Sequence, residues 1–361
     1  MKPLPSLQIG KYTARYPIVQ GAMAVRVSGG NLAGAVAQAG GIGVIATLGL
    51  GLHSSFCDRY SPRRQKYQFF IANRLALIDE LQKARAISPD GLIGVNVLVA
   101  TKNYPDLVRT AVEQGANLII AGAGLPLDLP EYTADYPDVA LVPIVSTVSA
   151  AASICQHWKQ YYHRLPDAFI AECPRSSGGL GATSEEMDES TCQVERIVPE
   201  LVDYLHHQLG SPIPVIASGG IWHRADIDAM LALGASGVQI GTRFITTEEC
   251  DADIRYKEFH LNASPEDIAI VPSPVGVPGR ALRNKFVEKA IAHSPDLERR
   301  CIANCLQACN CRDKRETYCL IQALDRAARG DVENGLVFAG TKAGRTKRIM
   351  PVAELMAELT L

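Results

Sequence analysis

The stretch Pro214-Val-Ile-Ala-Ser-Gly-Gly-Ile221 decides the fold together with Gly237-Val-Gln-Ile-Gly-Thr-Arg-Phe244, which follows it within one helix length. Both are apolar runs that end in small residues, as expected of buried strands whose ends leave backbone N–H groups uncovered. In a parallel barrel, the loops after the last two strands commonly form a phosphate site. Glycines alone would only permit tight turns. Because two such turns fall in consecutive units, we favour a phosphate site made of Ser218, Gly219, Gly220, Gly241 and Thr242.

The rest of the chain repeats this unit of strand and helix, which predicts a parallel sheet. The predicted helices include 30–39, 104–113, 148–161 and 224–233, and Gly40, Gly115 and Gly234 are predicted to end three of them. An open doubly wound sheet is the rival fold, but Gln20-Gly-Ala-Met23 stands where its Gly-x-Gly-x-x-Gly turn would follow the first strand. We therefore predict an α/β fold, a (β/α)8 TIM barrel. Its eight predicted strands are 16–21, 41–46, 93–99, 117–121, 140–145, 168–172, 215–218 and 237–240.

The composition excludes several classes of protein. A net charge of -2 over 361 residues provides no basic stripe, so neither nucleic acid nor an anionic membrane is an expected partner. The chain contains no uninterrupted apolar run of about 18 residues, and its first residues lack the pattern of a signal peptide. We therefore predict a cytoplasmic protein that acts on a small molecule.

After Phe244 the pattern changes, which predicts three units. Residues 1–244 would form the barrel, and residues 245–334 a smaller, mostly helical second domain or lid without strands, inserted after the eighth strand. Residues 335–361 would return to the barrel through Gly335-Leu-Val-Phe-Ala-Gly340 and a final helix over 352–359. The apolar helices of the lid could either cover the active site or form the contact of a homodimer.

Five of the ten cysteines fall in one short segment of the lid, residues 301–319. Cys301, Cys305 and Cys309 are spaced by one helical turn each, so we predict three thiols on one face of a helix. Packed and reduced cysteines are the favoured interpretation, and no metal site is predicted. A zinc ion or iron–sulfur cluster held with Cys311 or Cys319 is an alternative, as is a redox-active disulfide among Cys309, Cys311 and Cys319.

At this point the sequence resembles a known family, the FMN-dependent nitronate monooxygenases (formerly 2-nitropropane dioxygenases), which are related to the FabK-type flavin enoyl-ACP reductases. The resemblance covers nearly the whole chain. It is carried by Pro17-Ile-Val-Gln-Gly-Ala-Met23, Gly94-Val-Asn-Val-Leu98, Ala217-Ser-Gly-Gly220, Gly241-Thr-Arg-Phe244 and Phe338-Ala-Gly340.

The resemblance implies bound FMN, with its phosphate on the ends of the last two strands. It also implies a set of residues close to the flavin. Two of these residues also have another possible role: Gln20 could form part of the polar rim of the barrel rather than contact the flavin, and Asn96 could be a turn former at a strand end. The implied residues, besides those of the phosphate site, are Gln20, Gly21, Ala22, Met23, Asn96, Gly178, Gly179 and Gln239.

One departure from the family concerns catalysis. Relatives carry a histidine after the sixth strand, but this chain reads Ala171-Glu-Cys-Pro-Arg-Ser-Ser-Gly-Gly-Leu-Gly-Ala182, with Gly179 at or beside the histidine position. Glu172 is the remaining candidate for a catalytic residue, because desolvation at the active rim would raise the pKa of its carboxyl group. Holding the following loop through backbone amides is an equally good role for Glu172. Arg175, Ser176 and Ser177 could contact a substrate anion.

A function follows from these points. We predict FMN-dependent oxidation of alkyl nitronates with molecular oxygen, since a nitronate arrives already deprotonated and needs no general base. Poor activity on neutral nitroalkanes is expected. The alternatives are an NAD(P)H-dependent flavin oxidoreductase or enoyl reductase, with NAD(P)H as reductant, and a catalytically silent flavin-binding protein.

Overall fold

A computed structural model describes residues 3–52, 54, 65–173 and 193–361, the side chains of residues 65–67 excepted. The chain begins with an antiparallel hairpin, β1 (Leu7–Ile9) and β2 (Tyr12–Ala14). Leu7 and Ile9 are buried and pack against the apolar side chains inside the barrel. The hairpin therefore closes one end of the barrel, and the site must lie at the other.

The eight predicted strands are present and form a closed barrel. Each strand pairs in parallel with its neighbour, and the last strand pairs with the first, with Gln239 beside Val19. The strands are nearly continuous buried runs, as expected where both faces of the sheet are covered. They are β3 (Ile18–Gln20), β4 (Ile42–Ala46), β5 (Leu92–Leu98), β6 (Leu118–Gly122), β7 (Ala140–Val145), β8 (Phe169–Glu172), β9 (Val215–Ser218) and β10 (Gly237–Ile240).

Helices surround the barrel. Gly40, Gly115 and Gly234 have φ values of 91°, 79° and 98°, a backbone conformation suited to glycine after a helix end, as predicted. The barrel-side helices are Gly30–Gln38, Gln65–Ile87, Tyr104–Glu113, Leu129–Tyr132, Val148–Tyr162, Val194–Asp203 (continued by a π-helical turn, Tyr204–Gln208), Arg224–Ala232, Thr242–Ile245 and Val352–Thr360.

The packing of helix Gly30–Gln38 on β4 is close enough to require a glycine. A Cβ atom on Gly43 would lie 1.8 Å from the backbone oxygen of Ala33. Leu32 and Val36 of the helix are fully buried in the main core, which lies between the barrel strands and the surrounding helices.

Residues 245–334 contain helices, and they also contain a hairpin that the sequence analysis missed. β11 (Ile268–Val271) and β12 (Gly279–Leu282) pair antiparallel. Each strand is only four residues long, and proline-rich sequence separates them, so no alternating pattern reveals them. The helices here are Ile254–Asn262, a 3-10 turn at Pro265–Asp267, Lys285–Ile291, Asn310–Asp313 and Leu320–Ala328. The three-unit division remains a prediction.

The predicted helix through the cysteine segment is wrong. Residues 301–309 form an irregular loop whose backbone pairs with the barrel loop after β5. The amide of Lys102 donates to the oxygen of Cys305 at 2.9 Å, and the amide of Gln307 donates to the oxygen of Ala100 at 2.9 Å. These bonds take up backbone groups that a helix would use internally, so tertiary contacts override the helical spacing of the cysteines. None of the described helices is long and apolar enough to span a bilayer.

Candidate active site

A cavity of about 270 Å³ lies at the carboxyl ends of the barrel strands. Strands β4 to β10 each contribute residues to its wall, the segment directly after β3 adds four more, and segments after the barrel cover it. Ligands of such barrels bind at this end. The wall consists of Gly21–Ala24, Ala46, Leu48, Asn96, Leu98, Gly122, Ala123, Ile144, Glu172, Ser218–Trp222, Gln239–Thr242, Ile245, Tyr256, Leu320, Leu324 and Phe338–Lys342.

The predicted phosphate residues all lie on this wall. Gly219 and Gly220 have φ values of 112° and 69°, so the turn after β9 uses a backbone conformation that favours glycine at both positions. The side-chain amide of Gln239 on β10 donates to the hydroxyl oxygen of Ser218 at 2.9 Å. This bond leaves the Ser218 hydroxyl proton available to a ligand and links the two strand ends.

The glycine after β10 leaves room for a ligand. A Cβ atom on Gly241 would enter the cavity, where the nearest atom is the sulfur of Met23 at 3.7 Å. Thr242 follows at the start of a short helix, and its hydroxyl oxygen accepts a hydrogen bond from the amide of Gly340 at 3.2 Å. An anion binds to backbone N–H groups that no side chain covers, and the open space beside Gly241 gives a phosphate access to them, so these residues fit a flavin phosphate.

The segment directly after the first barrel strand contributes Gly21, Ala22 and Met23 to the wall, where the small residues before Met23 let the backbone approach a ligand. Gly21 also packs against β10, because a Cβ on it would lie 3.3 Å from the Cα of Gly241. Gln20 is fully buried and is not among the wall residues. Its side-chain amide donates to the oxygen of Gly21 and accepts from the amide of Val44 at 2.9 Å. The structure therefore gives Gln20 a role in holding the barrel rim.

Asn96 and Glu172 face the cavity from β5 and β8. The Asn96 side chain donates a long bond of 3.4 Å to the oxygen of Ile120, which leaves it weakly held and able to turn to a ligand. Glu172 is half-buried and pairs in register with Ser218 on the neighbouring strand. The predicted Gly178 and Gly179 lie outside the described residues, as do Arg175, Ser176 and Ser177.

The sequence analysis missed a basic residue on the wall, Lys342. Its ammonium group lies 2.9 Å from a carboxylate oxygen of Asp226, at the start of the helix that follows β9. Burial alone would raise the pKa of Asp226, but bonds from Lys342 and the amides of His223 and Trp222 hold that pKa below its ordinary value. Lys342 thus lies on the cavity wall as the partner of a carboxylate at the start of the helix after β9. Its position directly after the Phe338-Ala-Gly340 motif was the available signal.

The cover of the cavity was also missed, because its residues are ordinary apolar positions of helices. Leu320 and Leu324 lie one turn apart on helix Leu320–Ala328, and Tyr256 comes from helix Ile254–Asn262. Burial raises the pKa of Tyr256, so its phenol keeps its proton at neutral pH. The ring of Tyr256 packs 5.2 Å from that of His260, a fully buried histidine behind the wall.

Histidine is absent from the described residues that line the cavity. The described part of the chain also contains no group of three or more His, Cys, Asp or Glu side chains placed to hold a metal ion. The described wall therefore provides glycine-rich turns that fit an anion, the carboxylate of Glu172 and the ammonium group of Lys342.

The closed parallel barrel, with its cavity at the strand ends, defines a (β/α)8-barrel enzyme. Comparison of sequences makes the class more specific, because the family model described as nitronate monooxygenase matches residues 6–361. The chain belongs to the nitronate monooxygenase family and is a flavin-dependent oxidoreductase.

Individual relatives agree with this assignment. The probable nitronate monooxygenase of Staphylococcus saprophyticus is 25% identical over 299 residues, which are 78% of this chain and 79% of that protein. The structure of FabK from Thermotoga maritima is 26% identical with a TM-score of 0.71, covering 96% of this chain and 92% of that one. A nitroalkane oxidase from Streptomyces ansochromogenes shares the fold with a TM-score of 0.69 at 20% identity, covering 96% and 95% of the two chains.

Proposed function

We propose that the protein binds FMN and oxidises alkyl nitronates with molecular oxygen. The observation that carries the proposal is the composition of the cavity wall. Its glycine-rich turns fit an anion, and none of the described wall residues is a histidine. The name of the staphylococcal relative supports the same substrate class.

The residues that would hold FMN form two groups. Ser218, Gly219, Gly220, Gly241 and Thr242 would bind the phosphate through backbone amides and hydroxyl groups. Lys342, which also lines the cavity and is paired with Asp226, would donate a further hydrogen bond to the phosphate. Bound flavin supplies the electron acceptor and the reactivity toward oxygen.

The flavin ring would lie against the segment that follows the first barrel strand. Gly21, Ala22 and Met23 allow close approach there, and Asn96 and Gln239 provide polar contacts.

Substrate charge decides which chemistry this wall can support. A neutral nitroalkane must lose a proton from carbon before it can be oxidised, and a positioned general base contributes typically about 10²–10⁴-fold to such a step. An anionic nitronate has already lost that proton. Among the described wall residues, Glu172 is the only carboxylate. A substrate that arrives as an anion needs no base from this wall, and Glu172 would then position the loop or the substrate.

A second candidate function rests on the likeness to FabK at 26% identity. We propose NAD(P)H-dependent reduction of the flavin as the alternative activity. Hydride transfer from a nicotinamide to flavin needs no protein base, so the described wall is compatible with it. A catalytically silent flavin-binding protein is the remaining alternative.

Anaerobic mixing of the purified, FMN-loaded protein with ethylnitronate, neutral nitroethane, NADH and NADPH, each in a separate reaction, distinguishes these functions. Loss of the yellow absorbance with ethylnitronate, and oxygen uptake after air is admitted, is the expected result. Nitroethane in its neutral form should react much more slowly. Bleaching only by NADH or NADPH would contradict the proposal and support the NAD(P)H-dependent reductase. If no reagent bleaches the flavin, the protein is a catalytically silent flavin-binding protein.

The variant E172Q tests whether the oxidation of a nitronate proceeds without a general base. Ethylnitronate turnover should fall by less than about tenfold, because a lost general base costs about 10²-fold or more. The matched control is E113Q, on an exposed position of helix Tyr104–Glu113. A 100-fold loss in E172Q with normal turnover in E113Q would contradict the proposed step.

A further inference from the structure

The cysteines after β12 gather at the start of helix Leu320–Ala328. Cys319 is the N-cap residue of this helix, and its thiol forms a hydrogen bond with the side chain of Cys301. Cys305 interacts electrostatically with Cys301 and Cys309, so the loop brings further sulfurs into the same region. The described cysteines in this region carry no disulfide in the structure. Two thiols in contact need only a small movement to form an S–S bond.

The polar surroundings distinguish the two sulfurs. The contact with Cys301 and burial raise the pKa of Cys319, so Cys319 retains its proton and donates it toward Cys301. The amide of Asn304 also donates to the Cys301 sulfur at 3.3 Å. Amides of Ile302 and Gln322 point at the Cys319 sulfur. Cys301 accepts from both the Cys319 thiol and the Asn304 amide, and hydrogen bonds to sulfur stabilise its negative charge, so Cys301 is the better placed nucleophile of the two.

The neighbouring cysteines are less reactive. Burial raises the pKa of Cys305 to about 12 and that of Cys311 to about 11. A thiol that holds its proton is a weak nucleophile, so neither Cys305 nor Cys311 should attack the oxidant before Cys301 does.

Both sulfurs of the pair are within reach of a small reagent. Cys301 is half-buried, and Cys319 lines a second cavity of about 250 Å³. Lys289 and Asp296 on that wall provide charges of both signs, which suits a zwitterionic peptide thiol or disulfide.

The pair also connects two parts of the candidate active site. The loop that carries Cys301 is bonded to the barrel through the amides of Lys102 and Gln307. The helix that begins at Cys319 carries Leu320 and Leu324 on the wall of the main cavity. A covalent bond between the sulfurs would therefore tether the cover of the cavity to the barrel.

We propose that Cys301 and Cys319 are a thiol-modification site that forms a reversible disulfide with a low-molecular-weight peptide disulfide as oxidant. The Cys301 thiolate attacks one sulfur of the oxidant, forming a mixed disulfide and releasing one thiolate. Cys319 then loses its proton and attacks the Cys301 sulfur, which forms the Cys301–Cys319 bond and releases the second thiolate. Two protein thiols are oxidised, and one disulfide is reduced to two thiols.

Peptide mapping of the full, FMN-loaded protein tests the site directly. The protein is incubated with oxidised glutathione, remaining thiols are alkylated, and the chain is cut with trypsin. Residues 316–326 contain Cys319 as their only cysteine, whereas residues 301–312 contain Cys301, Cys305, Cys309 and Cys311. The expected product is these two peptides joined with the loss of two hydrogens, with fragment ions that place the bond at Cys301.

Variants and hydrogen exchange complete the test without using turnover. C301S should abolish the joined peptide, and C311S should retain it. Amide exchange of residues 320–328 should slow in the oxidised protein. A bond to Cys305, Cys309 or Cys311, full alkylation of Cys301 and Cys319, or stoichiometric iron or zinc protecting these thiols would overturn the proposal. Unchanged exchange in the linked protein would overturn the tether.

Discussion

Replacement of Gly241 by alanine is the sharpest test of the phosphate site. Gly241 has φ -104° and ψ -70°, which alanine adopts without strain. The added methyl would enter the cavity, with the Met23 sulfur 3.7 Å away as its nearest neighbour. The variant should therefore fold normally and lose space only where the ligand phosphate is expected.

The size of the effect follows from the hydrogen bonds at stake. A change from glycine to alanine at a compatible position alters the free energy of unfolding by up to about 1 kcal/mol. A hydrogen bond to a charged group contributes about 1.5–3 kcal/mol. A methyl that displaces the phosphate from one backbone amide should thus weaken FMN binding by roughly 10- to 150-fold in Kd.

The assay is quenching of FMN fluorescence on titration with apoprotein, with the Tm of each variant measured in parallel. G94A is the matched control, because its Cβ would meet Val44 at an ordinary 3.5 Å, and Gly94 is not among the wall residues. Binding of FMN by G241A within twofold of wild type would refute the phosphate site. An equal loss in G94A would show that the barrel, rather than the rim, had been disturbed.

Three further predictions concern stability. Burial lowers the pKa of His260 to about 3 from 6.5; the unfolded chain therefore binds the proton first as pH falls. The free energy of unfolding should drop by up to about 1.4 kcal/mol per unit below pH 6.5, and H260F should flatten this slope in urea titrations. G43A should destabilise the barrel by about 3 kcal/mol, because its Cβ meets the Ala33 oxygen, and little soluble protein is expected. Asp226 has a lowered pKa in the folded protein, so its bond with Lys342 stabilises the fold above the unfolded pKa near 3.8. D226N should therefore lower the Tm at neutral pH, and its Tm should match that of wild type once acid has protonated Asp226.

The sequence predicted the barrel well because its strands are buried on both faces. Runs such as 140–145 and 237–240 have no polar alternation and end in turn residues, and their observed bounds match the predicted ones. Helix ends at Gly115 and Gly234 were predictable for the same local reason, since both adopt a positive φ.

The failures have tertiary causes. The spacing of Cys301, Cys305 and Cys309 predicts a helix, but backbone pairing with the loop after β5 competes for the same groups. The position of Gln20 in the sequence fits both the barrel rim and a flavin contact, and only the bonds of its side-chain amide with Gly21 and Val44, which no sequence pattern shows, favour the rim. Leu320 has the pattern of a packed helix, and no local signal shows that its partner surface is a cavity.

The order in which the chain supplies the cavity wall has a consequence for biosynthesis. The rim joins Gly21, near the start, to Gly241, and residues 338–342 complete the wall near the end. A ribosome delivers these parts in that order, so the cofactor pocket is finished only after nearly the whole chain has emerged. With the flavin bound as we propose, its uptake would follow translation, and a chain stopped before residue 338 could close its barrel without completing this wall.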